Sequence, residues 1–231
     1  RFLQSISHTQ KAFQKAANMG LPEVSAYTIL SRQENKEPLA IRMFGDTGLP
    51  HSTLVPMIEC LKLSGAKRVL EIGTQFGKTT WHLAGNLPED GHLWTVDLPP
   101  ASETDKSGRE TQPGEEVGAF FQGTPEKEKI TQVLKNSLEL GPDDFPTLFD
   151  YVFVDANHAY DFARADTITA LRLLDEEGFI VWHDYYTLDP RIGVRRLLHE
   201  LEAAGFELYH LAGSTCAVAR VSSEMRDKLL A

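Results

Sequence analysis

Apolar positions between residues 50 and 221 switch repeatedly between two periods. Thr53–Leu63 carries them at helical spacing, and a short apolar run at 68–72 follows directly. Helical spacing returns at 78–87, then a strand pattern at 92–97, a short helical stretch at 124–129 and a strand at 130–134. The rhythm continues with a strand at 150–154, a helix at 160–174, a strand at 178–183 and a helix at 190–204. Strands separated by helical stretches predict a parallel sheet covered by helices on both faces. The end departs from this. Phe206–Leu211 and Thr215–Val221 are apolar runs joined by Ala212-Gly213-Ser214, which reads as a hairpin. The expectation is an α/β fold with a doubly wound, mostly parallel seven-stranded sheet ending in an antiparallel C-terminal hairpin.

Outside this region the pattern is weaker. Phe2, Ile6, Phe13, Ala16 and Ala17 have helical spacing up to Met19, and Gly20-Leu21-Pro22 reads as a stop. Residues 31–50 are polar and rich in turn formers. Residues 1–50 are therefore expected to be a helical or irregular N-terminal extension, and 51–231 a single domain. Pro99–Glu116 has almost nothing to bury and leaves the carboxyl end of a strand, where open α/β sheets bind ligands. A mobile lid and a plain surface loop both remain open for it.

Bulk properties narrow the partners. The net charge of −10 argues against non-specific binding of a polyanion such as nucleic acid, and the basic residues are not clustered. Cys60 and Cys216 sit in apolar runs far apart, which fits buried thiols in a reducing compartment. No run approaches the length needed to span a membrane, and no secretory signal is visible, so a cytoplasmic location is expected.

The most informative segment is Val69-Leu70-Glu71-Ile72-Gly73-Thr74-Gln75-Phe76-Gly77-Lys78-Thr79-Thr80. A strand ends in an acid and a glycine, a tight turn follows, and a second glycine opens a helix whose N-terminal N–H groups are free. Gly77-Lys78-Thr79 resembles the end of a phosphate-binding loop, but that loop has four residues between its glycines and this one has three. An acid two residues before Gly73 would also repel phosphates. A ligand with a sulfonium cation and a ribose suits Glu71 better. Asp97 ends the next strand, twenty residues beyond Gly77, where an acid can accept both ribose hydroxyls. Two further strand ends carry Asp155 with His158, and His183 with Asp184. Neighbouring parallel strands lie about 4.8 Å apart, so these groups can converge on a divalent metal, with His158 free to act as a base. The alternative is that Asp184 caps the next helix and His183 is a satisfied core residue.

Over residues 50–220 the chain resembles the class I S-adenosylmethionine-dependent methyltransferases. It is most similar to O-methyltransferases of the catechol and caffeoyl-CoA type and to related bacterial natural-product and sugar methyltransferases. The likeness rests on Val69–Thr74 with Gly77, on Thr95-Val96-Asp97, on Lys135-Asn136-Ser137, on Val154-Asp155-Ala156 and on the terminal hairpin. It implies a Rossmann-like sheet and methyl transfer from S-adenosylmethionine to an oxygen of a small acceptor. Cofactor contacts are then expected from Glu71, Gly73, Gln75, Phe76, Thr79, Asp97, Leu98, Ser137 and Asp155. Catalysis is expected from His158, His183 and Asp184, with His158 at the place of a catalytic lysine. A metal, Mg2+ or Mn2+, would lie on Asp155, His183 and Asp184. The His183-Asp184 pair departs from the Asp-Asn pair of catechol-type enzymes, and an imidazole also admits Zn2+ or no metal. Aminopropyl transfer and a non-catalytic cofactor-binding module are the competing readings, and a homodimer is an open assembly.

Overall fold

The last four residues of Arg68–Ile72 (β2) are buried. A strand hidden on both faces belongs in the middle of a parallel sheet. In the computed structural model β2 pairs in parallel with His92–Asp97 (β3) on one side and Phe149–Val154 (β5) on the other. The structure describes residues 20–30, 38–42, 49–99, 116–187, 189 and 192–230. The expected helix over 2–19 and most of the expected lid at 99–116 lie outside these residues.

Eight strands form one sheet among the described residues, in the order β1-β7-β8-β6-β5-β2-β3-β4. The remaining strands are Glu23–Val24 (β1), Ile130–Leu134 (β4), Leu174–Trp182 (β6), Tyr209–Leu211 (β7) and Ala217–Arg220 (β8). β8 runs antiparallel to β6 and β7, as the hairpin pattern predicts, and every other pairing is parallel. The eighth strand, β1, adds to the seven expected. It is held against β7 by His210 N–H to Pro22 O and Ala212 N–H to Val24 O, both 2.9 Å. Two residues beside a proline carry no periodicity, so the sequence pattern could not announce them.

Helices cover both faces. His51–Ser64 (α2) and Lys78–Gly85 (α3) lie on one face, where Met57, Ile58, Leu61 and Leu83 meet Val69, Tyr151, Phe153 and Val181. Tyr160–Leu173 (α4) and Val194–Ala203 (α5) lie on the other, where Ala163, Ala170, Leu197 and Leu198 meet Leu70, Ile72, Val152 and Ile180. Alternate residues of one strand thus enter opposite cores. Ala26–Ile29 (α1) and Ser223–Leu230 (α6) are the remaining α-helices among the described residues. The stretch expected as a helix at 124–129 is a 3-10 turn over Pro125–Lys129. The chain runs outward from β2 through β3 to β4 and then crosses back to β5. The crevice at this reversal, outside the carboxyl ends of β2 and β5, is where open α/β sheets place ligands. Among the described residues, no helix is long and apolar enough to cross a membrane.

Candidate active site

The turn after β2 is shaped by the strands beside it. Gly73 N–H bonds to Val96 O at 2.9 Å and Asp155 N–H to Ile72 O at 2.8 Å, so the ends of three strands close on one another. Gly73 has φ +112°, and a Cβ there would stand 2.2 Å from the Asp155 carbonyl oxygen. Only glycine fits. The turn then exposes Gln75, whose N–H donates to Asp97 Oδ2 at 2.7 Å, while Leu98 N–H donates to Asp97 Oδ1 at 2.7 Å. Asp97 therefore ties the turn after β2 to the end of β3 and is only half-buried. Phe76 and Thr79 are also half-buried, at the start of α3. Residues 118–120 close over the turn, with Gly118 N–H on Gln75 O and Phe120 N–H on Phe76 O.

Glu71 lies beneath this turn with no exposed surface. Its Oε2 accepts from Thr80 Oγ1 at 2.5 Å and Thr95 Oγ1 at 2.6 Å, whereas Oε1 is buried without a partner. Burial pushes its pKa up to about 8, against the opposing effect of the two threonine hydroxyls. Glu71 is therefore mostly a neutral acid at pH 7. The carboxyl group expected to face a sulfonium also joins β2, β3 and α3 through Thr95 and Thr80.

Ser137 follows β4, half-buried, and its hydroxyl donates to Asp166 Oδ1 at 2.6 Å. Asp166 sits on the inner face of α4, and burial raises its pKa despite the Ser137 bond. Sequence reading passed over Asp166. The signal was present, since it falls on the apolar face of the 160–174 helical pattern.

The ends of β5 and β6 bring two acid–histidine pairs together. His158 Nδ1 is 3.1 Å from Asp184 Oδ2, and His183 Nδ1 is 2.9 Å from Asp155 Oδ1 and 3.2 Å from Asp184 Oδ1. Neither contact of His183 Nδ1 has hydrogen-bond alignment, and the atom is shielded from solvent. Burial acts to lower the pKa of His183, but Asp155 and then Asp184 outweigh it, and the group is held above its ordinary value. Asp155, His158 and Asp184 each offer a ligand atom, all within 4.8 Å of one another. Of the set expected for a metal, Asp155 and Asp184 are joined there by His158, and His183 Nδ1 contacts both acids.

A separate cavity of about 570 Å3 opens at the amino ends of the strands, lined by Lys67, Arg68, Asp90 and Asp150 among others. Arg68 is committed to Asp150 and Asp175, and Lys67 to Asp90. It lies at the opposite sheet edge from the Asp155 cluster and brings no comparable chemistry together.

A family model described as a methyltransferase domain matches residues 70–185, from β2 through the Asp184 turn. The chain belongs to this methyltransferase family. The match spans the glycine turn, Asp97, Ser137 and both acid–histidine pairs. Among solved structures, this methyltransferase is similar to the O-methyltransferase TomG of Streptomyces achromogenes, involved in tomaymycin synthesis and solved with S-adenosylmethionine. The two share 21% identity over 94% of this chain and 98% of that one, with a TM-score of 0.56. It is also similar to an O-methyltransferase of Bacillus cereus in complex with S-adenosylhomocysteine, at 17% identity over 94% of this chain and 100% of that one, TM-score 0.56. At such identities the likeness establishes the fold. No curated protein matches the chain significantly.

Proposed function

We propose that this methyltransferase moves the methyl group of S-adenosylmethionine to an oxygen of a small-molecule acceptor. The observation that carries this reading is the meeting of Asp155, His158 and Asp184 beside the glycine turn that ends β2. Similar proteins named as O-methyltransferases bind that cofactor or its product on the same fold. In this reading Asp97 takes the ribose hydroxyls, and the backbone at Gly73 and Gln75 lies along the cofactor. Phe76, Thr79, Leu98 and Ser137 line the remainder. Glu71 supports the turn from below.

The reaction needs acceptor oxygen, methyl carbon and sulfur in line. A lone pair of the oxygen forms the new C–O bond while the C–S pair departs onto sulfur, leaving S-adenosylhomocysteine. The acceptor must also lose a proton. His158 Nδ1 lies 3.1 Å from Asp184 Oδ2, and in this reading Asp184 holds the proton at Nδ1 so that Nε2 takes the proton of the acceptor. A second reading is favoured by the ligand atoms of Asp155, His158 and Asp184 lying within 4.8 Å of one another. These three would hold a divalent cation, which would lower the pKa of a bound hydroxyl.

Calorimetric titration with S-adenosylmethionine, followed by mass detection of methylated products from hydroxyl-bearing compounds, tests the proposal. Saturable cofactor binding and a product heavier by one methylene are expected. No binding of the cofactor would overturn it and favour a module of the same fold without turnover. Binding with transfer of another group would favour aminopropyl chemistry.

A further inference from the structure

Asp184 has φ +60°, a left-handed conformation uncommon for a residue with a side chain, though Asp adopts it more readily than most. The neighbouring strand supplies the constraint. Trp182 pairs with Ala217 in the antiparallel β6–β8 ladder, and that register continued would set Asp184 opposite Thr215. Instead the amides of Tyr185 and Tyr186 converge on the Thr215 carbonyl, at 2.9 and 3.4 Å. The left-handed residue brings the chain round to that carbonyl. The same turn directs the Asp184 carboxyl group to His158 on one oxygen and His183 on the other.

Thr215 is tied down from its other side. Its N–H donates to Thr53 Oγ1 at 3.2 Å, and the two hydroxyls are 3.0 Å apart. Thr53 lies in the first turn of α2 and is 1% exposed, with its own N–H on Pro50 O at 2.9 Å. One buried hydroxyl on α2 thus holds the residue on whose carbonyl the Asp184 turn closes, and Ser214 Oγ accepts the Cys216 N–H of that carbonyl's peptide at 3.0 Å. Thr53 belongs to neither acid–histidine pair.

We propose that Thr53, acting through Thr215, is a positioning residue for Asp184 and so sets the contact between Asp184 and His158. The inference rests on the reading of Asp184 and His158 as parts of the acceptor centre. Thr53→Val keeps the shape and removes the hydroxyl; Thr53→Ser keeps the hydroxyl.

The test is imidazole nitrogen NMR of His158 in chelator-treated protein saturated with S-adenosylmethionine, at a pH where the ring is neutral. The wild type should show His158 protonated at Nδ1. Asp184→Ala should lose that signal, and so should Thr53→Val, while Thr53→Ser retains it. The double variant should match Asp184→Ala alone, because both changes act on one contact. Cofactor affinity measured on the same samples reports whether each variant is folded. If Thr53→Val does not fold, Thr215→Val takes its place, with a partial loss expected because the Thr215 N–H bond to Thr53 survives. A Thr53→Val or Thr215→Val spectrum like wild type, beside a changed Asp184→Ala spectrum, would overturn the positioning role alone. An Asp184→Ala spectrum like wild type would overturn the underlying pairing of Asp184 with His158.

Discussion

His158 Nδ1 stands 3.1 Å from Asp184 Oδ2, although the two residues belong to segments that leave different strands of the sheet. The side chain of His158 is 40% exposed. His158→Ala should lower the rate of methyl transfer by about 10²- to 10⁴-fold, the usual loss of a general base. Cofactor affinity should stay unchanged, since no cofactor contact is expected from His158. Parallel measurements of S-adenosylhomocysteine release and cofactor binding check this. A matching loss in affinity would place His158 in the cofactor pocket instead.

Gly73→Ala tests a different link, from backbone to fold. The added Cβ meets the Asp155 carbonyl at 2.2 Å, and φ +112° is itself unfavourable for alanine. The demand for glycine thus comes from β5, before any ligand arrives. Unfolding in urea should show a loss of about 3 kcal/mol or more, since strained backbone and a buried clash each destabilise by roughly 1–3 kcal/mol. An unchanged midpoint with lost cofactor binding would return Gly73 to a role in ligand approach alone.

Much of this was legible because it obeys simple periods. β2, β3, β5 and β6 are apolar runs, and their ends carry Asp97, Asp155 and Asp184, which topology brings to one edge. Other parts depend on contacts that no local pattern encodes. Val24 becomes part of a strand only because β7 lies beside it. The contact of Asp184 with both His158 and His183 involves a left-handed turn at Asp184, which the letters His-Asp-Tyr do not announce. The neutral state of Glu71 needed the burial of both its faces to be known.

That neutral state has a pH signature. The folded-state pKa of Glu71 is about 8, above the value of 4.5 for a free glutamate. The folded protein therefore holds the proton more tightly than the unfolded chain. The resulting stability is fully present below pH 4.5 and is lost as pH rises through about 8. Its size is on the order of 5 kcal/mol, since each tenfold difference in proton affinity is worth about 1.4 kcal/mol. Glu71→Gln, which cannot ionise, should lack this decline, so its stability relative to wild type should improve between about pH 6 and pH 9. Denaturant unfolding at both values measures the difference. Parallel curves for the two proteins would mean that Glu71 stays ionised inside the fold.

Asp97 should matter through two routes at once. It accepts from Gln75 and Leu98 N–H groups, and its carboxylate is the group assigned to a ribose. Asp97→Ala should weaken S-adenosylmethionine binding by about 2–3 kcal/mol, as expected for lost charge-assisted bonds. Asp97→Asn keeps one acceptor and should lose less. Equal affinity in all three proteins, by calorimetry, would remove the ribose assignment.

The sharpest division concerns the metal. Asp155, His158 and Asp184 bring their ligand atoms within 4.8 Å of one another, while His183 Nδ1 is shielded from solvent. If this centre holds a cation, exhaustive chelation should suppress turnover and added Mn2+ should restore it. An imidazole ligand suits Mn2+ better than Mg2+, so Mg2+ should restore less. His158→Ala should then weaken Mn2+ binding more than His183→Ala does, and direct titration of the ion into chelated protein compares them without an acceptor. The reverse order would support Asp155, His183 and Asp184 as the ligands. If chelation leaves turnover intact while His158→Ala lowers it, His158 works as a base without a metal. Full activity under both treatments would leave alignment of oxygen, methyl and sulfur as the whole of catalysis, because neither route for removing the acceptor proton would then be in use.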